Sequence, residues 1–155
     1  MDSTLNRLSV FCLLLLLLAG CSWPGIIILE DPLTPAEHLN LGVAYEKNNE
    51  FDQAVTEYQS AAQKLPIAYL YLGNVYFQKK NFDKSERYYK KAIRKEPGQA
   101  DAYNNLAWLY YTRGKNLDKA ESLVLRAMEL RPDRACVYMD TLNKIRELKR
   151  TGRSY

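Results

Sequence analysis

The chain has 155 residues, of which 47% are hydrophobic, and a formal net charge of +4, which is consistent with one domain with an ordinary core. Its one histidine, His38, its three separated cysteines and its scattered glycines provide no paired metal-ligand spacing and no phosphate-binding loop. A Gly-x-Ser-x-Gly motif is also absent, so we expect no enzyme activity, no metal or cofactor, and no small-molecule substrate.

The N-terminal segment has the pattern of an export signal. An apolar run with six consecutive leucines ends in Leu18-Ala19-Gly20-Cys21, and this ending resembles the lipobox of bacterial lipoproteins. The run is shorter than the roughly 20 residues of a spanning helix, so residues 1–20 are predicted to be a removed signal peptide. The resemblance implies that Cys21 carries a diacylglycerol thioether and an N-acyl group. An ordinary cleaved signal or an uncleaved short anchor is the alternative.

Residues 21–34 are predicted to be the lipidated cysteine and a tether. Because Ser22 rather than aspartate follows Cys21, the resemblance favours the outer membrane, facing the periplasm, over the inner membrane. The tether contains the apolar run Ile26–Leu29. This run either packs on the first helix pair or lies with Trp23 at the membrane interface, and the sequence leaves both interpretations open.

The remainder of the chain repeats one pattern three times. A Leu-Gly-x-x-Tyr motif begins at Leu41 and at Leu72, and the variant Leu-Ala-x-x-Tyr begins at Leu106. Each motif is followed by a small residue, a bulky residue, an alanine and a proline at constant spacing. These residues are Ala54, Tyr58, Ala61 and Pro66, then Ser85, Tyr89, Ala92 and Pro97, then Ala120, Val124, Ala127 and Pro132. The third copy has one extra residue near 111–115, where we expect a longer turn.

Apolar residues three and four positions apart predict amphipathic helices throughout the repeats, and no strand. The predicted helices are 35–48, 51–64, 67–79, 82–95, 99–113, 117–130 and 134–150. Thr34–Glu37 is a capping box with proline at the first helical position, so the first helix begins there. Asn81 and Asn116 stand at N-cap positions. Cys136, the only free thiol left after signal removal and lipidation, is expected to be a small packed residue of the last helix.

This pattern resembles the tetratricopeptide repeat, a helix-turn-helix unit of 34 residues. The resemblance implies an all-α solenoid of three repeats, at about 35–65, 66–99 and 100–132, with a capping helix and basic tail at 133–155. Stacked repeats bury a continuous core and present an extended surface, which is typical of scaffolds that bind other proteins. Such a scaffold can also serve as an accessory subunit of an enzyme, which is a further alternative for this chain.

The resemblance further implies that the first helix of each pair lines a concave groove for a partner protein. The predicted groove residues are Leu39, Val43 and Lys47 from the first copy, Leu70, Asn74, Phe77 and Gln78 from the second, and Asn104, Trp108 and Tyr111 from the third. Leu39 and Val43 replace the basic and Asn residues of carboxylate-clamping relatives, so an extended or helical apolar segment is the expected ligand. Alternatively, Trp108 packs against the capping helix and contacts no partner.

Charge is distributed unevenly along the chain. Residues 79–95 contain eight basic and two acidic residues. Five of the bases fall mainly along one helical face, and they are Lys84, Arg87, Lys91, Arg94 and Lys95. This basic face is either a solvated surface or a site for an anionic membrane or cell-wall polymer, and the second interpretation is an alternative function for the chain. Nucleic acid is not expected as a partner of an exported protein.

Together these features predict a lipid-anchored scaffold that mediates protein–protein interactions in the bacterial envelope. Candidate processes are the assembly of a pilus secretin, the insertion of outer-membrane proteins and the control of cell-wall machinery. The sequence does not distinguish among them, because nothing in it identifies the partner.

Overall fold

The computed structural model describes residues 31–152, in which seven α-helices and no strand are found. The helices are α1 (Pro35–Lys47), α2 (Phe51–Ala61), α3 (Ala68–Gln78), α4 (Phe82–Lys95), α5 (Ala100–Thr112), α6 (Leu117–Leu130) and α7 (Ala135–Thr151). A 3-10 turn at Pro132–Arg134 precedes α7. The predicted all-α class is confirmed. The predicted signal peptide 1–20, Cys21 and the Ile26–Leu29 run lie outside the described residues.

Local capping chemistry defines the start of α1 and of α4. At α1, the Glu37 backbone N–H donates to Thr34 Oγ1 over 3.2 Å, and the Thr34 N–H donates to Glu37 Oε2 over 2.7 Å. These two bonds complete the predicted capping box. At α4, Asn81 Oδ1 accepts from the Lys84 N–H at 3.2 Å. Asn116 also stands at the predicted N-cap position, that of α6, but its side chain makes no capping hydrogen bond.

The extra residue of the third copy explains this difference at Asn116. In all three copies a residue with positive φ follows two positions after the end of the first helix, namely Asn49 (62°), Lys80 (56°) and Gly114 (60°). The residue after it donates its N–H to the carbonyl of the motif tyrosine, five positions earlier. The first two copies then enter their second helix, whereas the third inserts Asn116 with a left-handed φ of 53°. The expected longer turn is therefore present. Its first part is the same as in the other two copies, and the extra residue is added just before α6.

Helices pack as the pairs α1–α2, α3–α4 and α5–α6, and α7 packs on α6 and α5. Two clusters of buried side chains result. One joins the first pair to α3 and includes Tyr58, Leu72 and Val75. The larger cluster extends from α3 to α7. Both belong to a single compact unit that begins at Pro32, so this part of the chain carries its own core.

Glycine in the Leu-Gly motif lets the two helices of a pair approach closely. Gly42 faces the ring of Tyr58 and Gly73 faces the ring of Tyr89, and a Cβ on either glycine would lie closer than 3.0 Å to two ring carbons. The third pair instead combines Ala107 with Val124, and both are fully buried. Compared with the first two copies, the third has a larger residue on its first helix and a smaller one on its second. We interpret this as compensation, because the two side chains occupy one volume in a close-packed core.

The predicted capping helix is confirmed as α7. Tyr138 is 1% exposed, and its hydroxyl donates to Asp101 of α5 over 2.8 Å. Arg134 donates to both oxygens of the same carboxylate, at 2.8 and 3.0 Å. Burial and the bond to Asp101 raise the pKa of Tyr138 to about 12, so it remains a neutral donor. The expectation of a packed Cys136 is wrong, since this residue is exposed.

Candidate partner-binding groove

A concavity of about 270 Å³ is formed by residues from all three helix pairs. Its lining comprises Glu46 from α1, Asn74, Phe77 and Gln78 from α3, Tyr89 from α4, and Asn105 and Trp108 from α5. No single repeat supplies this surface, because the lining residues come from three different helix pairs. The concavity therefore depends on the stacking of the repeats.

Four of the ten predicted groove residues line this concavity, namely Asn74, Phe77, Gln78 and Trp108. The predicted residues of the first copy do not line it. Leu39 and Val43 are half-buried and pack against the first core cluster. Lys47 is exposed in the last turn of α1.

The remaining predicted residues divide between core and surface. Leu70 is only 7% exposed and belongs to the larger core cluster, so its assignment to the groove is corrected. Tyr111 is half-buried and its ring centroid lies 5.0 Å from that of Trp108. Asn104 is half-buried, and its Oδ1 is buried without a hydrogen-bond partner among the described residues. A buried acceptor of this kind needs an explanation, because its desolvation is costly.

Three lining residues were missed by the sequence analysis: Glu46, Tyr89 and Asn105. Glu46 follows Val43 by three positions, and Asn105 follows Asn104 directly. The helices that line the groove were therefore predicted correctly, but the face that each helix turns toward the groove was not. Tyr89 was identified only as the bulky residue of the second copy. Its hydroxyl reaches the groove because Gly73 allows the ring to lie across α3. No sequence signal distinguishes this outcome from ordinary burial.

A hydrogen-bonded amide pair occupies the centre of the concavity. Asn74 Oδ1 accepts from the Tyr89 hydroxyl and from Asn105 Nδ2, both at 2.9 Å. These two bonds orient the Asn74 side chain and join α3, α4 and α5. The remaining polar groups of the pair are the Asn74 amide N–H groups and Asn105 Oδ1. None of these groups makes a hydrogen bond to another residue within 31–152. They are available to a ligand's backbone.

Glu46 is the only charged residue in the described lining of the concavity. Its carboxylate accepts from the Tyr58 hydroxyl at 2.7 Å and from the Gln78 amide. Burial is the larger cause and the hydrogen bond to Glu46 the second cause that raise the pKa of Tyr58 well above its ordinary value. Burial likewise raises the pKa of Tyr89. Both tyrosines therefore act as neutral donors, and the concavity offers mainly amide and aromatic groups to a ligand.

Aromatic rings form one wall of the groove. Phe77 lies 5.5 Å from Phe82 between ring centroids, and Trp108 packs against Tyr111. The capping helix reaches this wall through Lys144, whose ammonium lies 5.1 Å from the centroid of the Trp108 ring. Trp108 is half-buried and is not a member of either core cluster. It therefore combines a contact with α7 and a surface open to the concavity.

The five residues of the predicted basic face all lie on α4. Lys84 and Lys91 sit over tyrosine rings of α3, with their ammonium groups 5.0 Å from the centroid of Tyr76 and 4.2 Å from that of Tyr69. Arg87, Arg94 and Lys95 are exposed. This face lies apart from the concavity, because none of its members is among the described lining residues of the groove.

The described residues contain no group of three His, Cys, Asp or Glu side chains placed to hold a metal ion. The single histidine, His38, is buried with Nδ1 2.6 Å from Glu57 Oε2, so it connects α1 to α2. None of the helices between residues 31 and 152 combines the length and the apolar character needed to cross a membrane.

Comparisons with known proteins identify relatives of this architecture. Two family models, both described as tetratricopeptide repeat, match residues 38–66 and 64–133. The TPR2B domain of yeast Sti1, solved in complex with pHsp70, is 16% identical with a TM-score of 0.68, over 73% of this chain and 96% of that domain. The first TPR of Spaghetti (RPAP3), bound to the HSP90 peptide SRMEEVD, is 20% identical with a TM-score of 0.69, over 78% and 97%. At such identities the likeness shows the fold alone. No curated protein sequence matches the chain.

Proposed function

Since the chain belongs to the tetratricopeptide repeat family, we propose that it is a lipid-anchored scaffold of the bacterial envelope whose concave groove binds a peptide segment of a partner protein. The observation that carries the binding role is the concavity built from three repeats. Its central amide pair matches the donors and acceptors of a peptide backbone, and its aromatic wall matches an apolar side chain.

The chemistry of the groove favours a neutral, apolar segment, extended or helical. The solved relative Spaghetti holds a peptide with acidic residues, SRMEEVD. In this chain the only charge in the described lining is the carboxylate of Glu46, which would repel such a peptide. Trp108 and Phe77 are the expected anchors, because aromatic residues at the centre of an interface contribute most of the binding energy.

The anchor is proposed from the sequence around Cys21. The small residues of Leu18–Cys21 end the apolar run where a lipobox would lie. Acylation at Cys21 would hold the scaffold on the outer membrane with its repeats in the periplasm, and several acyl chains anchor firmly where one chain alone would be marginal. There the groove would recruit its partner during envelope assembly.

The anchor is tested by the intact mass of the mature protein purified from its native cells. We expect a chain that starts at Cys21 and carries acyl groups, because the signal peptidase of lipoproteins cleaves before the modified cysteine. Cys21→Ala in the full chain should abolish metabolic labelling with lipid. A mature N-terminus at another residue, or labelling that persists in the variant, would end the anchor proposal and leave the groove proposal standing.

The groove is tested by site-specific photocrosslinking in the native cells. A photoreactive residue at Gln78, which is exposed and lines the concavity, should capture a partner protein. The same residue at Lys119, which is exposed on α6, is the matched control. Trp108→Ala and Phe77→Ala should then each weaken that capture by about 5-fold or more, the effect of losing about 1 kcal/mol or more of binding energy. Leu125→Ala removes an exposed apolar side chain of α6 and should have no effect.

Helical content and melting temperature of the Trp108 and Phe77 variants decide how the capture result is interpreted. We expect both quantities to stay close to those of the unmodified protein. A large drop in melting temperature for Trp108→Ala, together with full capture by Phe77→Ala, would show that Trp108 serves the core. Equal capture from Gln78 and from Lys119 would contradict a binding role for the concavity.

A further inference from the structure

The basic face of α4 differs from the paired basic residues of α7 in how its charges are balanced. On α7, Lys144, Arg146 and Lys149 each lie 2.6–2.7 Å from a carboxylate oxygen. No ion pair of this kind is recorded, anywhere in residues 31–152, for the five residues of the basic face. The face therefore carries positive charge that the fold leaves uncompensated.

The two acidic residues of α4 cannot neutralise this face, because both are engaged elsewhere. Asp83 accepts from Arg113 at 2.9 Å. Glu86 accepts from Lys90 at 2.6 Å and from the Tyr110 hydroxyl at 2.9 Å. Burial acts to raise the pKa of Glu86, but the hydrogen bonds from Lys90 and Tyr110 outweigh it and lower the pKa, so this carboxylate stays ionised. The negative charge of Glu86 is therefore engaged by Tyr110 of α5 and by Lys90.

Stacked tyrosines hold the two lysines of the face in place. Tyr88 of α4 stacks on Tyr76 and Tyr69 of α3, at centroid distances of 5.3 and 6.5 Å. The ammonium group of Lys84 lies over the ring of Tyr76, and that of Lys91 lies over the ring of Tyr69. Cation–π contacts of this kind fix the ammonium groups without neutralising them. The positive charges are thus positioned before any ligand arrives.

A depression of about 380 Å³ lies among these side chains. Its described lining is Arg87, Tyr88, Lys90, Lys91 and Arg94, so four cationic side chains surround one aromatic ring, and of the four only Lys90 is paired with a carboxylate, that of Glu86. No carboxylate is among these lining residues. Guanidinium groups bind phosphate oxygens in pairs and ammonium groups bind them as point charges, so this arrangement is complementary to phosphate groups.

We propose that the basic face of α4 is a second binding surface, which contacts the phosphate headgroups of anionic phospholipids at a membrane surface. Arg87, Lys91 and Arg94 contact the phosphates directly, and Tyr88 lies beneath them. Arg87 and Lys91 each stand two positions from Tyr89, which places them on the opposite side of α4 from the hydroxyl that enters the groove. A scaffold held by this face therefore keeps its groove open to a partner.

The test uses the fragment 32–155, which contains both core clusters, so that no acyl chain contributes to binding. After its helical content is verified, the fragment is sedimented with vesicles of phosphatidylcholine, with and without phosphatidylglycerol. Binding should require phosphatidylglycerol and should fall as added salt shortens the screening length. No binding, equal binding to both vesicles, or binding to cell-wall sacculi in place of vesicles would overturn the proposal.

Two matched triple variants separate this face from net charge. Arg87→Glu/Lys91→Glu/Arg94→Glu should reduce vesicle binding by about 10-fold or more. Lys119→Glu/Arg126→Glu/Arg150→Glu makes the same change in charge at exposed positions of α6 and α7 and should keep most of the binding. Equal losses in the two variants would overturn the assignment to α4. Displacement by inorganic phosphate at constant ionic strength would also overturn it, because it would indicate a site for a small free anion.

Discussion

Replacing Gly73 with alanine is expected to lower the free energy of unfolding by about 1–3 kcal/mol, the usual cost of overpacking a core. Helix propensity alone predicts the opposite sign, since alanine is about 0.8–1 kcal/mol more favourable than glycine inside a helix. The tertiary contact decides the result, because a Cβ on Gly73 would collide with the ring of Tyr89. That ring is 3% exposed and its hydroxyl is bound to Asn74, so it has no space into which to move.

Gly98→Ala is the matched control for this prediction. Gly98 lies in the turn between α4 and α5, and a Cβ there would meet nothing within 4 Å. We expect its effect on stability to be within about 0.5 kcal/mol, as is usual for exposed positions. Thermal and denaturant unfolding of both variants provide the measurement. Equal changes in the two would contradict the close crossing of α3 and α4.

The third repeat suggests how the damage at Gly73 can be relieved. In that repeat the buried residues Ala107 and Val124 stand at the positions that Gly73 and Tyr89 hold in the second repeat. The double variant Gly73→Ala/Tyr89→Val recreates that combination in the second repeat. It should lose less stability than the sum of the two single variants, because the added methyl group then has the space that the ring has vacated. Simple additivity would show that the two sites do not compete for one volume.

Tyr138→Ala is expected to destabilise the protein by about 3–5 kcal/mol, the range for removing a large buried aromatic side chain. The ring is 1% exposed in the larger core cluster. Its hydroxyl also satisfies Asp101, which would be left with Arg134 alone. Because a solenoid is stabilised by contacts between neighbouring elements, the loss should be greatest at α7. Hydrogen exchange of α7, together with the unfolding free energy, measures this.

Two substitutions separate the contributions of the Tyr138 ring and its hydroxyl. Tyr138→Phe keeps the packing and should cost only about 0.5–1.5 kcal/mol, the net value of one hydrogen bond. Val137→Ala alters the neighbouring residue, which is 53% exposed, and should change stability little. A loss for Val137→Ala as large as that for Tyr138→Ala would mean that the opposite face of α7 packs on the solenoid.

The seven helices and their turns were predictable from the sequence to within a few residues, because their signals are local. The capping box at Thr34–Glu37 involves residues three apart, and the apolar stripe of each helix repeats every three to four residues. The glycines that permit close helix crossings were also recognisable, since the Leu-Gly motif recurs at one place in the pattern. The single insertion in the third copy correctly located a longer turn.

Side-chain depth was harder to predict. Leu70 was assigned to the groove by its position in the repeat, yet it is buried as a member of the larger core cluster. Cys136 was expected to be buried and is exposed, because it precedes Tyr138 by two residues and so lies on nearly the opposite side of α7. Both errors concern the direction of a side chain around a correctly placed helix.

The helical repeat, its register and the charged face of α4 follow from patterns within single helices and could be read directly from the residues. Which side chains meet in the groove depends on contacts between repeats. The contact between Asn74 and Asn105 joins residues 31 positions apart, and that between Glu46 and Gln78 joins residues 32 apart. Such contacts depend on the angle at which one repeat stacks on the next. That angle is set by the packing of every buried side chain between the repeats, so it cannot be derived from a pattern within one helix.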